Sequence, residues 1–92
     1  MHISIKGRKW AVIFCPLKDI PMKNGETLLG LCDYDNKTIF IADTTHGEER
    51  LATLTHEVLH AVDDKLTEKR VKDLANGVAR ALWKLGYRRI ES

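Results

Sequence analysis

The sequence has few of the features that define several special classes of small protein. It contains only two cysteines, Cys15 and Cys32, and these lie in separate hydrophobic runs rather than in a CxxC pair. So low a cysteine count excludes a domain held together by several disulfides. We therefore expect both cysteines to be buried thiols.

Long apolar segments and blocks of one charge are also missing. No stretch approaches the roughly 20 apolar residues of a membrane span, and the N-terminus lacks the pattern of a secretory signal. The net charge is only +2, with basic and acidic residues interspersed. These features predict a cytoplasmic protein with no membrane partner, and they do not favour nucleic acid as a partner.

The chain has the composition of an ordinary globular domain. Its 92 residues are 43% hydrophobic and 30% charged. A chain of this length has room for one modest core and no second domain. We therefore predict a single domain over residues 1–92.

The first half of the chain is typical of β-strands. His2 to Lys6 alternates, with Ile3 and Ile5 on one side, and Lys9 to Cys15 is a β-favouring run. Gly7-Arg8 between them is a candidate turn. The pattern predicts a hairpin.

A second hairpin is predicted further along the chain. Leu28 to Tyr34 and Lys37 to Ala42 flank Asp35-Asn36, a typical turn sequence, and Asn24-Gly25 marks another turn in the loop before them. Together the two hairpins predict a mainly antiparallel sheet of three to four strands. Thr38 to Ala42 is a candidate edge strand for binding an extended peptide, or an ordinary paired strand.

The second half of the chain has helical periodicity, which makes the predicted fold class α+β, a short sheet followed by two packed helices. The helices run from about Glu48 to Val62 and from about Glu68 to Leu85, with Thr67 as N-cap of the second. Apolar stripes identify the core-facing sides: Leu51, Leu54, Val58 and Val62 in the first helix, and Val71, Leu74, Ala75, Val78, Leu82 and Leu85 in the second.

The strongest functional signal is the HExxH segment His56-Glu57-Val58-Leu59-His60. Two histidines four residues apart project from successive turns of one helix face, so both can reach one metal ion. They lie roughly 140° to 180° from the centre of the apolar stripe. Glu57, beside the pair, is placed to act as general base toward zinc-bound water. We predict a zinc site with His56 and His60 as ligands.

A catalytic zinc usually has three protein ligands and a water, so a third ligand is needed. Glu68 starts the buried stripe of the second helix, after a turn that can fold the chain back over the histidines. Asp64 is the alternative, although it would lie about 12 Å along the axis from His56 if the helix continued. Asp73 points off the core stripe. We predict Glu68 as the third ligand.

These segments resemble those of a known family. The stretch Leu51-Ala-Thr-Leu-Thr-His-Glu-Val-Leu-His-Ala-Val, followed by Leu66-Thr-Glu-Lys-Arg-Val, resembles the zinc-binding helices of gluzincin-type metallopeptidases, in particular small ImmA/IrrE-like and phage-encoded members. The resemblance implies a zincin-like fold, Zn²⁺ held by His56, His60 and a downstream glutamate, and peptide or protein substrates. SprT-like proteins use a further histidine instead, and none follows His60.

Other functions compete with this interpretation. The same site could serve a non-catalytic or latent zinc module that regulates a partner, although such a module needs no Glu57. A small nucleic-acid-binding domain would depend on a basic group near the C-terminus, which also fits a solvated helix face. That group comprises Arg80, Lys84, Arg88 and Arg89.

Three further residues carry weak signals for the site. His46 could line the cleft, although an exposed loop histidine is the simpler interpretation. Tyr34 and Tyr87 could donate a hydrogen bond to a reaction intermediate, although tyrosines are more often packing residues.

Overall fold

A computed structural model describes residues 1–22 and 28–89, and the predicted α+β fold is confirmed. The predicted turn at Asn24-Gly25 lies outside the described residues. A 3₁₀ turn over Leu17–Asp19 follows the second strand. The strands and helices are β1 (His2–Ile5), β2 (Arg8–Cys15), β3 (Gly30–Asp33), β4 (Thr38–Ala42), α1 (Gly47–Val62) and α2 (Glu68–Lys84).

The first hairpin turns one residue earlier than predicted. Ile5 pairs with Arg8, so the loop is Lys6-Gly7. Both loop residues have positive φ, 53° and 75° respectively. Two successive positive φ angles are typical of the type I′ turn, whose twist matches that of the flanking strands.

The turn of the second hairpin, between β3 and β4, is stabilised by hydrogen bonds to the Asp33 side chain. Asp33 pairs with Thr38 across the ladder. The Asp33 carboxylate accepts hydrogen bonds from the Asn36 backbone N–H at 3.2 Å and from the Asn36 side-chain amide at 2.8 Å. These local bonds hold the turn that the sequence predicted at Asp35-Asn36.

The four strands form one mixed sheet in the order β1-β2-β4-β3. Both hairpin pairings are antiparallel as predicted, but the central pairing of β2 with β4 is parallel, with Val12 opposite Ile39. This parallel pairing places β4 inside the sheet, so Thr38 to Ala42 is not an edge strand. Within the described residues the edge beside the helices is β3.

The core lies between the sheet and α1. Ile39 and Ile41 are fully buried, and Leu54, Val58 and Ala61 of α1 pack against the cluster around them. Val62, predicted in the stripe, is 38% exposed. Full burial of a side chain such as Ile39 or Ile41 contributes about 1.5 to 3 kcal/mol to stability.

The second helix packs mainly against the first, through small side chains. Its buried residues are Val71, Ala75 and Ala79, whereas Val78 and Leu85, both predicted in the stripe, are exposed. The buried line therefore repeats every four residues and runs through alanines, because small side chains let two helices approach closely. None of the helices in the described ranges is both long and apolar enough to cross a membrane.

The two cysteines are less buried than predicted. Cys15 ends β2 and Cys32 lies in β3, and both are half-buried. The thiol of Cys32 lies on the side of the sheet that contacts the core cluster.

Candidate metal site

His56 and His60 lie on successive turns of α1 and face a cleft rather than the core. Their ring centroids are 5.0 Å apart and the rings are inclined by 62°. The side chains are 21% and 17% exposed, respectively. The predicted pairing of the two imidazoles on one helix face is thus observed, with both rings partly shielded from water.

Glu68 lies against both imidazoles. Its Oε1 is 2.6 Å from Nε2 of His56, and its Oε2 is 3.0 Å from Nε2 of His60. Partial burial raises the pKa of the Glu68 carboxyl, but the hydrogen bonds and positive charge from the two histidines outweigh it and hold the pKa below its usual range. A lowered pKa favours the ionised carboxylate, which is the form that a metal ligand requires.

The turn between the helices delivers Glu68 to this position. The Asp63 carboxylate accepts a hydrogen bond from the Lys65 N–H at 3.0 Å, and the Thr67 hydroxyl caps α2 by accepting from the Arg70 N–H at 3.2 Å. A side-chain cap of this kind contributes about 1 kcal/mol. The predicted Thr67 cap is confirmed, and it starts α2 with Glu68 beside the end of α1.

Glu68 reaches the histidines for a different reason from the one the sequence indicated. It lies within about 20° of Ala75 and Ala79 on the helical wheel, so its direction toward α1 is as expected. Its side chain is nevertheless 70% exposed. The carboxylate is held by the histidines rather than by burial.

The other nearby carboxylates lie away from this group. Among the residues that the structure describes, His56, His60 and Glu68 are the one set of three potential ligands, with donor atoms within 4.8 Å of one another. Helix α1 ends at Val62, so Asp64 lies in the exposed turn. Asp73 pairs instead with Lys69 at 3.2 Å.

Glu57 is the only buried residue of α1, with 8% exposure. It sits against the edge strand at Gly30, where a β-carbon would lie 3.0 Å from Glu57 Oε2 and 2.9 Å from the Thr53 methyl group. Only glycine therefore allows this close approach of α1 to β3. Sequence reasoning did not identify Gly30, because its role depends on contact with a residue 27 positions away.

Tyr34 connects the β3–β4 turn to the end of the histidine helix. Its hydroxyl donates a 2.9 Å hydrogen bond to the His60 carbonyl, and its ring meets Trp10 edge-on at 6.3 Å. Partial burial, followed by the neighbouring Cys32 thiol and the negative charges of Asp64 and Glu57, raises the pKa of Tyr34 to about 12. The hydroxyl thus remains a donor at neutral pH and anchors the helix end.

These residues line one cleft of about 590 Å³, bounded by three elements. The edge strand β3 forms one wall, α1 forms the floor with both histidines and Glu57, and α2 forms the other wall. The wall on α2 consists of Glu68, Lys72 and Asn76, which recur every four residues on one face. Sequence reasoning missed Lys72 and Asn76, because only the packing of α2 shows that they face the site.

Two residues with weak sequence signals lie elsewhere. His46 and Tyr87 line a second, smaller cavity near the start of α1, of about 150 Å³. The C-terminal arginines contact aromatic rings: Arg88 lies 3.3 Å above Trp83, and Arg89 lies 4.5 Å above Phe14. Two of the four residues in the proposed nucleic-acid group therefore pack on the protein itself.

The three side chains are of a kind that could hold a metal ion. Two imidazole nitrogens and a carboxylate match the His₂Glu set of catalytic zinc sites, in which tetrahedral ligands lie about 3.3 Å apart. The observed 2.6 and 3.0 Å separations between Glu68 and the histidines are shorter than that value and are hydrogen-bond distances, so a bound ion would have to move these side chains slightly apart. Comparison of the chain with protein-family models, curated proteins and solved structures found no match.

Proposed function

We propose that the chain is a zinc-dependent hydrolase that cleaves peptide bonds, of the gluzincin-type metallopeptidase kind. The observation that carries the proposal is the convergence of His56, His60 and Glu68 from two helices, with the buried Glu57 carboxylate in the same cleft. Three ligands are the usual complement of a catalytic zinc, and a neighbouring carboxylate that does not ligate can act as base.

In this proposal each residue has a distinct task. His56, His60 and Glu68 hold the metal, and zinc when bound supplies Lewis acidity toward the scissile carbonyl and toward water. Glu57 accepts the proton of the attacking water and passes it to the leaving amine. Gly30 lets the Glu57 side chain occupy its place against β3.

The edge strand offers a means of holding an extended substrate. Ala42 N donates to Leu29 O at 2.8 Å, so in the antiparallel ladder the next residue, Gly30, turns its backbone N–H and C=O away from β4. A peptide added antiparallel or parallel to β3 would pair there, beside Glu57. The proposed peptide-binding edge is therefore β3, and not the strand Thr38 to Ala42 that the sequence suggested.

Zinc-dependent cleavage of a mixed peptide library tests the proposal. The zinc-loaded protein should produce new peptide termini, detected by mass spectrometry, because the proposed site supplies three ligands and a base. The same protein treated with a chelator should produce none, and added zinc should restore cleavage. Cleavage that persists undiminished after complete metal removal would contradict a metallohydrolase.

The third ligand is tested by a matched pair of variants. Glu68→Ala is expected to weaken zinc binding at least about tenfold, since it removes one of three ligands. Asp64→Ala should change it much less, because Asp64 lies in the exposed turn. Zinc affinity is measured by competition with a chromophoric chelator, and the reverse order of effects would transfer the ligand role to Asp64.

We also propose the cytoplasm as the compartment. Cys15 and Cys32 both carry reduced thiols in the structure. Unreacted thiols of this kind persist in the reducing cytoplasm. Fractionation of cells that express the chain checks the assignment.

A further inference from the structure

The α2 wall of the cleft carries one residue that bears on substrate choice. Among the described residues that line the cleft, Lys72 is the only lysine or arginine. It lies four residues after Glu68 on the same face of α2, a spacing at which glutamate and lysine ordinarily form an ion pair on a helix. In this protein both Glu68 carboxylate oxygens are instead directed at the histidines.

Lys72 is consequently left facing the cleft. Within residues 1–22 and 28–89, no carboxylate lies at ion-pair distance from its ammonium group. The contrast with Lys69 on the same helix is direct, because Lys69 pairs with Asp73 at 3.2 Å and does not line the cleft. Of these two lysines, only Lys72 is available to a ligand.

The Lys72 ammonium group determines the net charge of the cleft. A divalent ion held by the histidines and Glu68 would be balanced by the carboxylates of Glu68 and Glu57. Lys72 then leaves the cleft with a net positive charge. A cleft lined by one sign of charge concentrates ligands of the opposite sign.

We propose that Lys72 is a specificity-determining residue that selects peptide substrates by a carboxylate on the side facing α2. The inference rests on the proposed peptidase function and adds its substrate class. The carboxylate belongs either to an aspartate or glutamate side chain or to a free C-terminus, since both offer the same group to an ammonium. The opposite wall is apolar, formed by Leu28, Leu29 and Leu31, so the two walls distinguish the two sides of a bound chain.

Binding to an inactive protein tests this without relying on cleavage. The probes are four N-acetylated octapeptide libraries, randomised over uncharged residues only, in which one fixed central residue is Glu or Gln and the C-terminus is free or amidated. Retention on immobilised, zinc-loaded Glu57→Gln protein is measured by mass spectrometry. A library that carries a carboxylate should be retained about threefold to fivefold better than the neutral amidated library. Comparing Glu with Gln libraries, and free with amidated C-termini, identifies which carboxylate is bound.

Variants of Lys72, made in the same Glu57→Gln protein, then assign the preference. Lys72→Ala should abolish it, Lys72→Arg should keep it, and Lys69→Ala should leave it unchanged, with zinc content confirming that each protein is intact. If the Lys72→Ala protein prefers carboxylate-bearing libraries as strongly as the protein with Lys72, the inference is overturned and the peptidase proposal stands. Retention without any charge preference would have the same meaning. Failure to retain any library better than a matrix without protein would also overturn the inference, whereas the peptidase proposal is tested separately by zinc-dependent cleavage.

Discussion

Replacement of Glu57 by glutamine is expected to leave zinc binding and folding intact and to reduce peptide hydrolysis by about 10²- to 10⁴-fold. Glutamine keeps the shape of the side chain against Gly30 but cannot accept the proton from water. Glu57 is not one of the three clustered ligands, so the metal should remain. The measurement compares kcat for a cleaved library peptide, together with zinc content, in the parent and the variant.

The matched control for this variant is Glu48→Gln. Glu48 lies in the exposed first turn of the same helix, so its loss of charge should leave the rate within about twofold of the parent. A Glu57→Gln rate within about threefold of the parent would exclude Glu57 as the general base. If the parent cleaves no peptide, a metal-bound structure decides: an open coordination position beside Glu57 supports catalysis, and a fourth protein ligand supports the structural-module alternative.

Loss of both histidine ligands should abolish stoichiometric zinc binding. The parent is expected to bind about one zinc per chain, because two imidazoles and a carboxylate satisfy the ligand count of a catalytic site. In the His56→Ala/His60→Ala variant, Glu68 alone would remain, and a single exposed carboxylate holds zinc poorly. Zinc content after dialysis is measured by elemental analysis, with circular dichroism to confirm folding.

The chain supplies its own control for this experiment. Its other two histidines, His2 and His46, lie outside the cleft, so a His2→Ala/His46→Ala variant should keep one zinc. Undiminished zinc in the His56→Ala/His60→Ala protein would refute the metal site, and with it the basis for the proposed hydrolase.

Local sequence patterns predicted the individual elements well. Both hairpins and both helices lie where alternation and helical periodicity placed them, and Thr67 caps α2 through its own side chain. The approach of His56 and His60 was also predictable, because two residues four apart on one helix are neighbours in any α-helix. Each of these features depends on residues close together in the chain.

The arrangement of those elements required the tertiary structure. The parallel pairing of β2 with β4 makes β3 the edge strand, and no local signal distinguishes that order from a simple meander. The buried line of α2 runs through Ala75 and Ala79, rather than through the larger Val78, because packing against α1 selects small side chains.

The sequence by itself determined the elements, the fold class and the histidine pair. Glu68 was predicted as a ligand from its direction, but its contact with both imidazoles depends on how the turn after α1 places α2. The burial of Glu57 against Gly30 and the exposure of Lys72 to the cleft were decided by tertiary packing alone. The physical reason is that these contacts join residues far apart in the chain, where side-chain size and strand order, rather than local periodicity, set the distances.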